Sequence, residues 1–384
     1  MAMRIAQVRV TPIAVPYRTP ERWADGIRPG INNVVIELTT DTGLVGLGEA
    51  TCGSGNSADP TCAVLASFAE YLVGQDPLRI NHHAQRFYAL ARWRLWRSFT
   101  NTALAAIEMA LWDIAGKAAG QPLSTLLGGG VRERIPVFGF VFHDTPDAMA
   151  LQAQRMVGEG FQVIYFAVGL DAAGDEARVK AVREAIGPEI RLRIDANESW
   201  NRATAFSMAQ RLAPYGIDFI EQPLPGHDIA AMADLRRRVS VPIGANQSCW
   251  TVDDVLDVVR AEAADAVITS LHWLGGIVPM QKCEAICRAA GIPFVRHSSG
   301  EMGIAAAAGC HVLATFPDVD LGNQTLFSHW PHDIIRDEAM ALVDGCQPVP
   351  TGPGLGVELD RDKLEDFAGR YRRDGPFVTR RDAG

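Results

Sequence analysis

Chemistry in this chain gathers where short apolar runs end. Arg191–Trp200 reads RLRIDANESW, and side-chain alternation turns Arg193, Asp195 and Asn197 the same way. The run 217–223, IDFIEQP, ends on Glu221. If these strands are neighbours, two carboxylates meet and repel each other unless a cation, a proton or an arginine intervenes. A hard, oxygen-binding cation such as Mg²⁺ is the economical reading, and a carboxylate–arginine cluster is the competing one. The run 242–248, PIGANQS, offers only neutral amides, Asn246 or Gln247. His297, in RHSS, is a candidate general acid or base because an imidazole titrates near neutrality. A satisfied structural histidine is its bland alternative. ITSLHWLGG adds Ser270 and His272 with matching parity. His272 is the weaker candidate of the two histidines.

These groups need elements that bring them together. From about Arg134, apolar runs begin near IPVFGFV, FQVIYFAV, IRLRIDAN, IDFIEQP, VPIGANQ, DAVITSL, IPFVRHS and DVDLG, roughly 23–28 residues apart. Amphipathic helical stretches fill the gaps. Eight β-α repeats of this size predict a closed parallel barrel with its site at the C-terminal strand ends. An open doubly wound sheet is disfavoured, since no glycine-rich dinucleotide loop is present. Ahead of the barrel, RIAQVRVTPIAV and NNVVIELTT alternate as strands do, Asp41-Thr42-Gly43 signals a turn, and helices are expected at 61–73, 81–93 and 101–119. The expected domains are 1–130 (α+β cap), 131–330 (barrel) and 331–384, a tail with strand-like GLGVEL that returns to the cap.

The formal net charge of −9 argues against a nucleic-acid or membrane-surface binder. MAMRIAQVRV lacks an apolar signal core and no apolar run reaches a membrane span, so a cytoplasmic location is expected. The seven cysteines are scattered; Cys283 and Cys287 read as buried thiols rather than zinc ligands. Lys117, Lys180, Lys282 and Lys363 are the only lysines, and none falls at a strand end.

The motifs together resemble the enolase superfamily, in the branch of mandelate racemase and muconate lactonizing enzyme. The resemblance rests on GQPLSTLLGGG, GFxxxxxxVG, IDAN, IEQP, PIGANQS, LGG and PGLGVELD, and covers nearly the whole chain. It implies an α/β fold, a modified (β/α)7β TIM-type barrel under an α+β capping domain. It also implies removal of the proton α to a carboxylate, with Mg²⁺ as cofactor. Asp195 and Glu221 match two family metal ligands. The third is a carboxylate in relatives and an amide here, Asn246 or Gln247. His297 matches a family histidine whose usual aspartate partner is replaced by Ser270. Where many relatives carry lysines on strand two, this chain has Tyr165 and Ala167. Tyr165 is expected to face the mouth, opposite His297, as a hydrogen-bond donor or acid.

A lyase that dehydrates a small hydroxycarboxylate or sugar acid is therefore expected, with His297 and Tyr165 catalytic. A racemase, epimerase or cycloisomerase is the alternative, and a metal-free or non-catalytic acid-binding member a third. Asn197, Gln247, His272 and Trp23 are expected to contact substrate, with loops around 18–31 and 51–57, including Arg28, setting specificity. A homo-oligomer acting on a small-molecule carboxylate is expected.

Overall fold

The computed structural model describes residues 3–23, 26–52, 56–91, 97–336 and 339–380. The chain opens with β1 (Ile5–Trp23), β2 (Gly26–Thr40) and β3 (Val45–Thr51), an antiparallel sheet in that order. The segment expected to be a loop, 18–31, is instead the far end of the β1–β2 ribbon, paired out to Trp23↔Gly26. Arg28, Ile31 and their neighbours continue the ladder, so backbone pairing overrode the turn-like composition.

Three helices cover this sheet: α1 (Asp59–Leu72), α2 (Ile80–Ala91) and α3 (Arg97–Ala119), followed by the short α4 (Leu123–Leu126). Helix α3 lies directly on β3. A Cβ on Gly48 would sit 1.9 Å from the Ala106 carbonyl oxygen, and one on Gly46 2.1 Å from that of Ala110. Only glycine permits this approach.

The barrel follows. Strand β4 (Arg134–Pro136) lies outside the parallel sheet, and β5 (Gly139–Phe140) starts it. Then come α5 (Pro146–Gly158), β6 (Val163–Ala167), α6 (Ala172–Ile186), β7 (Arg191–Asp195) and α7 (Arg202–Leu212). They continue as β8 (Ile217–Glu221), α8 (Ile229–Arg238), β9 (Ile243–Ala245), α9 (Val252–Arg260) and β10 (Ala266–Thr269). The last barrel elements are α10 (Leu271–Leu274), α11 (Ile277–Ala289), β11 (Phe294–Arg296) and α12 (Gly303–Ala314). Strands β5 to β11 form one seven-stranded sheet in sequence order.

The eighth run, DVDLG, is not a strand. Closure depends on an isolated parallel bridge, Val137↔Asn323, in which Asn323 N–H donates to Pro136 O (2.9 Å) and Phe138 N–H to Asn323 O (3.1 Å), and on Gln324 N–H donating to Arg296 O (2.8 Å). Gly322 there has φ +74°, outside the extended region, and Arg193 takes up the Leu321 and Gly322 carbonyls at 2.5 and 3.2 Å.

The tail contributes β12 (Cys346–Pro348), paired with β4, and α13 (Arg361–Asp374). GLGVEL does not form a strand, because Gly354 and Gly356 have φ of +70° and +65°. The tail does return to the cap: Tyr371 Oη donates to Asp59 (2.8 Å) and Phe377 N–H to Asn32 (2.9 Å). Among the described residues, no helix is long and apolar enough to cross a membrane. Helix α12 is apolar all round, but it is short and every residue of it is buried.

Cap and barrel are tied by carboxylates. Helix α12 has no side-chain cap of its own, and Glu49 of β3 accepts the amides of Met302 (2.7 Å) and Ala305 (3.0 Å). Glu108 of α3 does the same for Ile277 and Val278 at the start of α11. An acid at a helix N-terminus satisfies donors that have no partner within the helix. Burial nonetheless pushes both carboxyls up to about 7.

Candidate active site

Parallel register builds the floor of the mouth. Ala167 pairs with Asp195 across β6–β7, and Asp195 with Glu221 across β7–β8, so the carboxylates are side by side. Both are buried. Asp195 Oδ2 accepts from Tyr165 Oη at 2.6 Å, and Oδ1 from the Asn197 amide at 2.7 Å. Burial pushes Asp195 up to about 6 despite the Tyr165 hydrogen bond. Glu221 is pushed up by burial and by Asp195, with the Arg193 guanidinium opposing. The pair thus retains a proton at pH values where ordinary carboxylates have lost theirs.

Arg193 shares the parity of Asp195 but lies deeper, fully buried, its guanidinium 4.1 Å from the Phe219 ring. It offsets Glu221 from below and does not reach the cavity. Asn197 does not follow that alternation, because β7 ends at Asp195 and Asn197 has φ +46°. It still lines the cavity, and its Oδ1 accepts from Gln247 Nε2 at 3.3 Å.

The strand β9 end separates the two amides. Asn246 is fully buried and outside the cavity lining, whereas Gln247 lines it. Asn246 Nδ2 donates to the Ile268 carbonyl (3.0 Å), which can only accept, so the amide orientation is fixed. Its Oδ1 is then left buried with no partner among the described residues, as is Gln247 Oε1. Gln222 pins the same corner, accepting from the Asn246 amide at 2.8 Å and donating to Ser248 Oγ at 3.0 Å. An orphaned amide oxygen beside two carboxylates is a hard oxygen set that fits Mg²⁺. Its charge is one unit less negative than a three-carboxylate set. Among the described residues there is no cluster of three or more His, Cys, Asp or Glu that could hold a metal.

His297 follows β11, its amide donating to Thr269 O (2.8 Å). The imidazole is half-buried and lines the cavity, with Nδ1 lacking a hydrogen-bond partner among the described residues. Burial lowers its pKa to about 4, with Glu301 opposing and Arg28 assisting. It is therefore a neutral base at neutral pH.

Other expectations need correction. Ser270 and His272 are not strand residues. Ser270 is the N-cap of α10, accepting from the Trp273 amide at 3.1 Å, and is fully buried. His272 lies within that helix, its Nε2 2.8 Å from Glu49 O and its Nδ1 3.5 Å from Glu301 Oε1. It touches the cavity, with Nε2 bonded to the cap and Nδ1 beside Glu301 but without a hydrogen-bond partner among the described residues. Tyr165 lines the mouth as expected but is not a free acid: it is 4 % exposed, stacks on Phe138 at 4.4 Å, and commits its hydroxyl to Asp195. Burial and the two carboxylates push its pKa well up. The Trp23 side chain lies outside the described residues. None of the four lysines lines the cavity; Lys117 bonds Val45 O and Asp113 in the cap.

The sequence reading missed several groups. Glu301 accepts from Ser298 Oγ and from the Ser299 amide (3.1 Å). Burial would raise this carboxyl, but His272, Arg296 and Ser298 hold it down to about 2. Glu21 pairs at 3.5 Å with Arg28, the one cap residue here expected at the site from sequence, and the two close the cavity from the cap side. Trp250 and Trp273 form part of its wall. Spacing of four residues from His297 to Glu301 is the only sequence signal for any of these; the rest depend on contacts between distant segments. The cavity measures about 680 Å³.

The chain's likeness to known proteins agrees with this geometry. Residues 5–128 match the family model of the mandelate racemase / muconate lactonizing enzyme N-terminal domain, and 148–363 that of the enolase C-terminal domain-like family. The N-succinyl-L-Arg/Lys racemase of Bacillus cereus is 29 % identical over 373 residues, covering 95 % of this chain and 98 % of the relative. The D-galactarolactone cycloisomerase of Agrobacterium fabrum is 32 % identical over 378 residues, covering 95 % and 99 %. Other relatives are named as muconate cycloisomerases, an epimerase and a dehydratase. The structure of an enolase from Thermobispora bispora, complexed with magnesium and formate, superposes with TM-score 0.89 at 29 % identity, covering 98 % of this chain and 94 % of that one. The chain is a member of the enolase superfamily, in its mandelate racemase / muconate lactonizing enzyme branch, whose characterised relatives are enzymes and mostly isomerases.

Proposed function

We propose that this enzyme removes the proton α to a carboxylate with His297 as its single base, and couples that step to an intramolecular β-elimination, a cycloisomerisation. The observation that carries the reading is the asymmetry of the mouth. His297 presents on one side a neutral imidazole whose Nδ1 has no hydrogen-bond partner among the described residues. Strand β6, on the other, ends in Ala167, and the neighbouring Tyr165 hydroxyl is committed to Asp195. A racemase that exchanges protons on two faces needs a second base; β6 itself presents none, and Glu21, the carboxylate near Tyr165 from the cap, is paired with Arg28.

In the proposed step His297 takes the α-proton, and the C–H pair becomes the new C=C bond as the ring C–O bond at the β-carbon breaks. The leaving carboxylate stays in the molecule, so a lactone and an unsaturated diacid interconvert. Asp195, Glu221 and Asn246 would hold Mg²⁺, which supplies positive charge where negative charge develops on the substrate carboxylate. Tyr165 and the Asn197 amide fix the Asp195 carboxylate. Arg28 adds positive charge on the cap side of the cavity.

Dehydration, the reaction expected from sequence, differs in its leaving group. A carboxylate leaves without a proton, whereas hydroxide needs an acid. That proton would have to return from His297, because Tyr165 is engaged. The geometry therefore favours the cycloisomerase over the hydro-lyase.

The test is deuterium incorporation from D2O at the α-carbon of a panel of lactones and hydroxy acids with Mg²⁺ present, followed by His297→Asn. The variant is expected to melt like the wild type and to lose roughly 10²–10⁴-fold in exchange. Wild-type exchange in the variant removes His297 from the role. Absence of exchange from every acid that binds favours the non-catalytic reading.

A further inference from the structure

The barrel supplies the floor of the cavity, and two pieces of the cap supply its roof. One is the β1–β2 ribbon, through Glu21 and Arg28. The other leads from the end of β3 into α1 and lines the cavity with Cys52, Asn56 and Ser57. Both pieces are held from behind by a distant part of the chain, α13 and the segment that follows it.

Tyr371 of α13 is buried, and its hydroxyl is fully used. The proton goes to Asp59 Oδ1 (2.8 Å), and the oxygen accepts from the Ala58 amide (3.1 Å) and from Ser57 Oγ (2.9 Å). Three consecutive residues thus hang from one oxygen, and Ser57 is the one in the cavity lining. Asn32 of β2, fully buried, ties Asn56 to the tail. Its Nδ2 donates to the Asn56 and Phe377 carbonyls, both at 2.8 Å, and its Oδ1 accepts from Phe377 N–H. Asn32 O also accepts from the Cys52 amide at 3.1 Å. The ribbon is reached as well. Arg380 and Ile27 form an antiparallel bridge, with N–H···O distances of 2.8 and 3.0 Å, one residue before Arg28. The Phe377 ring backs the ribbon at Gly30, where a Cβ would come within 2.7 Å of it. Neither Tyr371 nor Phe377 lines the cavity itself.

We propose that Tyr371 and Phe377 are positioning residues for substrate: they fix the roof of the cavity, and through it the affinity for the part of the substrate that lies against the cap. The groups that carry the proposed chemistry stand at barrel strand ends, and the Tyr371 hydroxyl is spent wholly on the cap. The inference takes from the function proposed above only that this cavity holds the substrate. A hydroxyl that merely stabilised the fold would alter the folded fraction, whereas one that positions the roof alters KM and leaves kcat in place.

The experiment uses the full chain with Mg²⁺ as wild type, Tyr371→Phe and Phe377→Ala, with melting curves to give the folded fraction. The kinetic probe is the acid of the panel that takes up deuterium fastest in the wild type. Its KM is expected to rise about three- to tenfold in Tyr371→Phe, with kcat within about twofold. Phe377→Ala is expected to act in the same direction, and it carries the comparison if the first variant fails to fold. An unchanged KM per folded molecule, or a fall in kcat alone, overturns the inference. A second measurement needs no substrate. Cys52 lines the cavity, donates to Thr61 Oγ1 at 3.5 Å, and has a thiol that burial pushes up to about 12. Its alkylation by iodoacetamide is read by peptide mass spectrometry, with Cys346 of β12 as internal reference. A loosened roof is expected to speed it about threefold or more in each folded variant. Unchanged alkylation overturns the inference too. Faster alkylation with no exchange in any acid leaves the roof assignment standing and removes the proton chemistry. Exchange with KM and alkylation both unchanged does the reverse.

Discussion

The two sides of the barrel mouth treat charge in opposite ways. On β6–β8, Asp195 and Glu221 sit side by side with few counter-charges, and burial drives both carboxyls up. On β10–β11, the equally buried Glu301 receives Ser298 Oγ and the Ser299 amide with His272 beside it, and falls to about 2. Burial is the same in both places, so hydrogen bonds and neighbouring cations decide the sign. The first side is arranged to take up a cation. The second already holds its charge and leaves one imidazole, His297, to move a proton.

The largest expected effect concerns that imidazole. Burial outweighs Glu301, so the base form of His297 persists down to about pH 4. The acid limb of α-proton exchange should therefore fall near pH 4. An ordinary histidine would place it near 6.5, with rates at pH 4.5 lower by about 100-fold. A limb near 6.5 would mean that His297 is less buried in the working enzyme, or is not the base.

On the opposite side, Asn246→Asp should restore a third charged oxygen. Mg²⁺ affinity, read by calorimetry at pH 7, is expected to rise about tenfold or more, since Mg²⁺ prefers charged oxygen ligands. An unchanged affinity would assign the third position elsewhere, with Gln247 the next candidate. Activity need not rise, because added negative charge opposes charge developing on the substrate.

Tyr165→Phe gives the smallest effect and sharpens the contrast. The variant deletes a buried hydroxyl bonded to Asp195 at 2.6 Å. Stability is expected to fall by about 1–3 kcal/mol, and the Asp195 carboxyl to rise further for want of its donor. Denaturant unfolding reads the first and carboxyl NMR titration the second. A stable variant with an unmoved Asp195 would show that the phenol does not position the carboxylate.

Much of this was legible in the chain itself. The order of β-α repeats, the pair Asp195 and Glu221, and His297 after its strand follow from local periodicity and residue type, while the family resemblance alone marks Tyr165 and Ala167 as positions where relatives carry lysines. Such features need no knowledge of distant contacts, because a strand's alternation and its ending residue belong to one short segment. Only the tertiary structure decided that Tyr165 serves Asp195, that Asn246 rather than Gln247 carries the fully buried unpartnered oxygen, and that Glu301 holds its charge. It also turned Ser270 and His272 from strand ends into a capped helix, and DVDLG from a strand into a closure through an isolated bridge at Asn323 and one bond from Gln324. Each of these depends on a partner far away in sequence: Asp195 for Tyr165, Ile268 for Asn246, Arg193 for the carbonyls of Leu321 and Gly322. The Trp250–Trp273 stack has the same origin, since the two indoles meet only when β9 and β10 lie side by side.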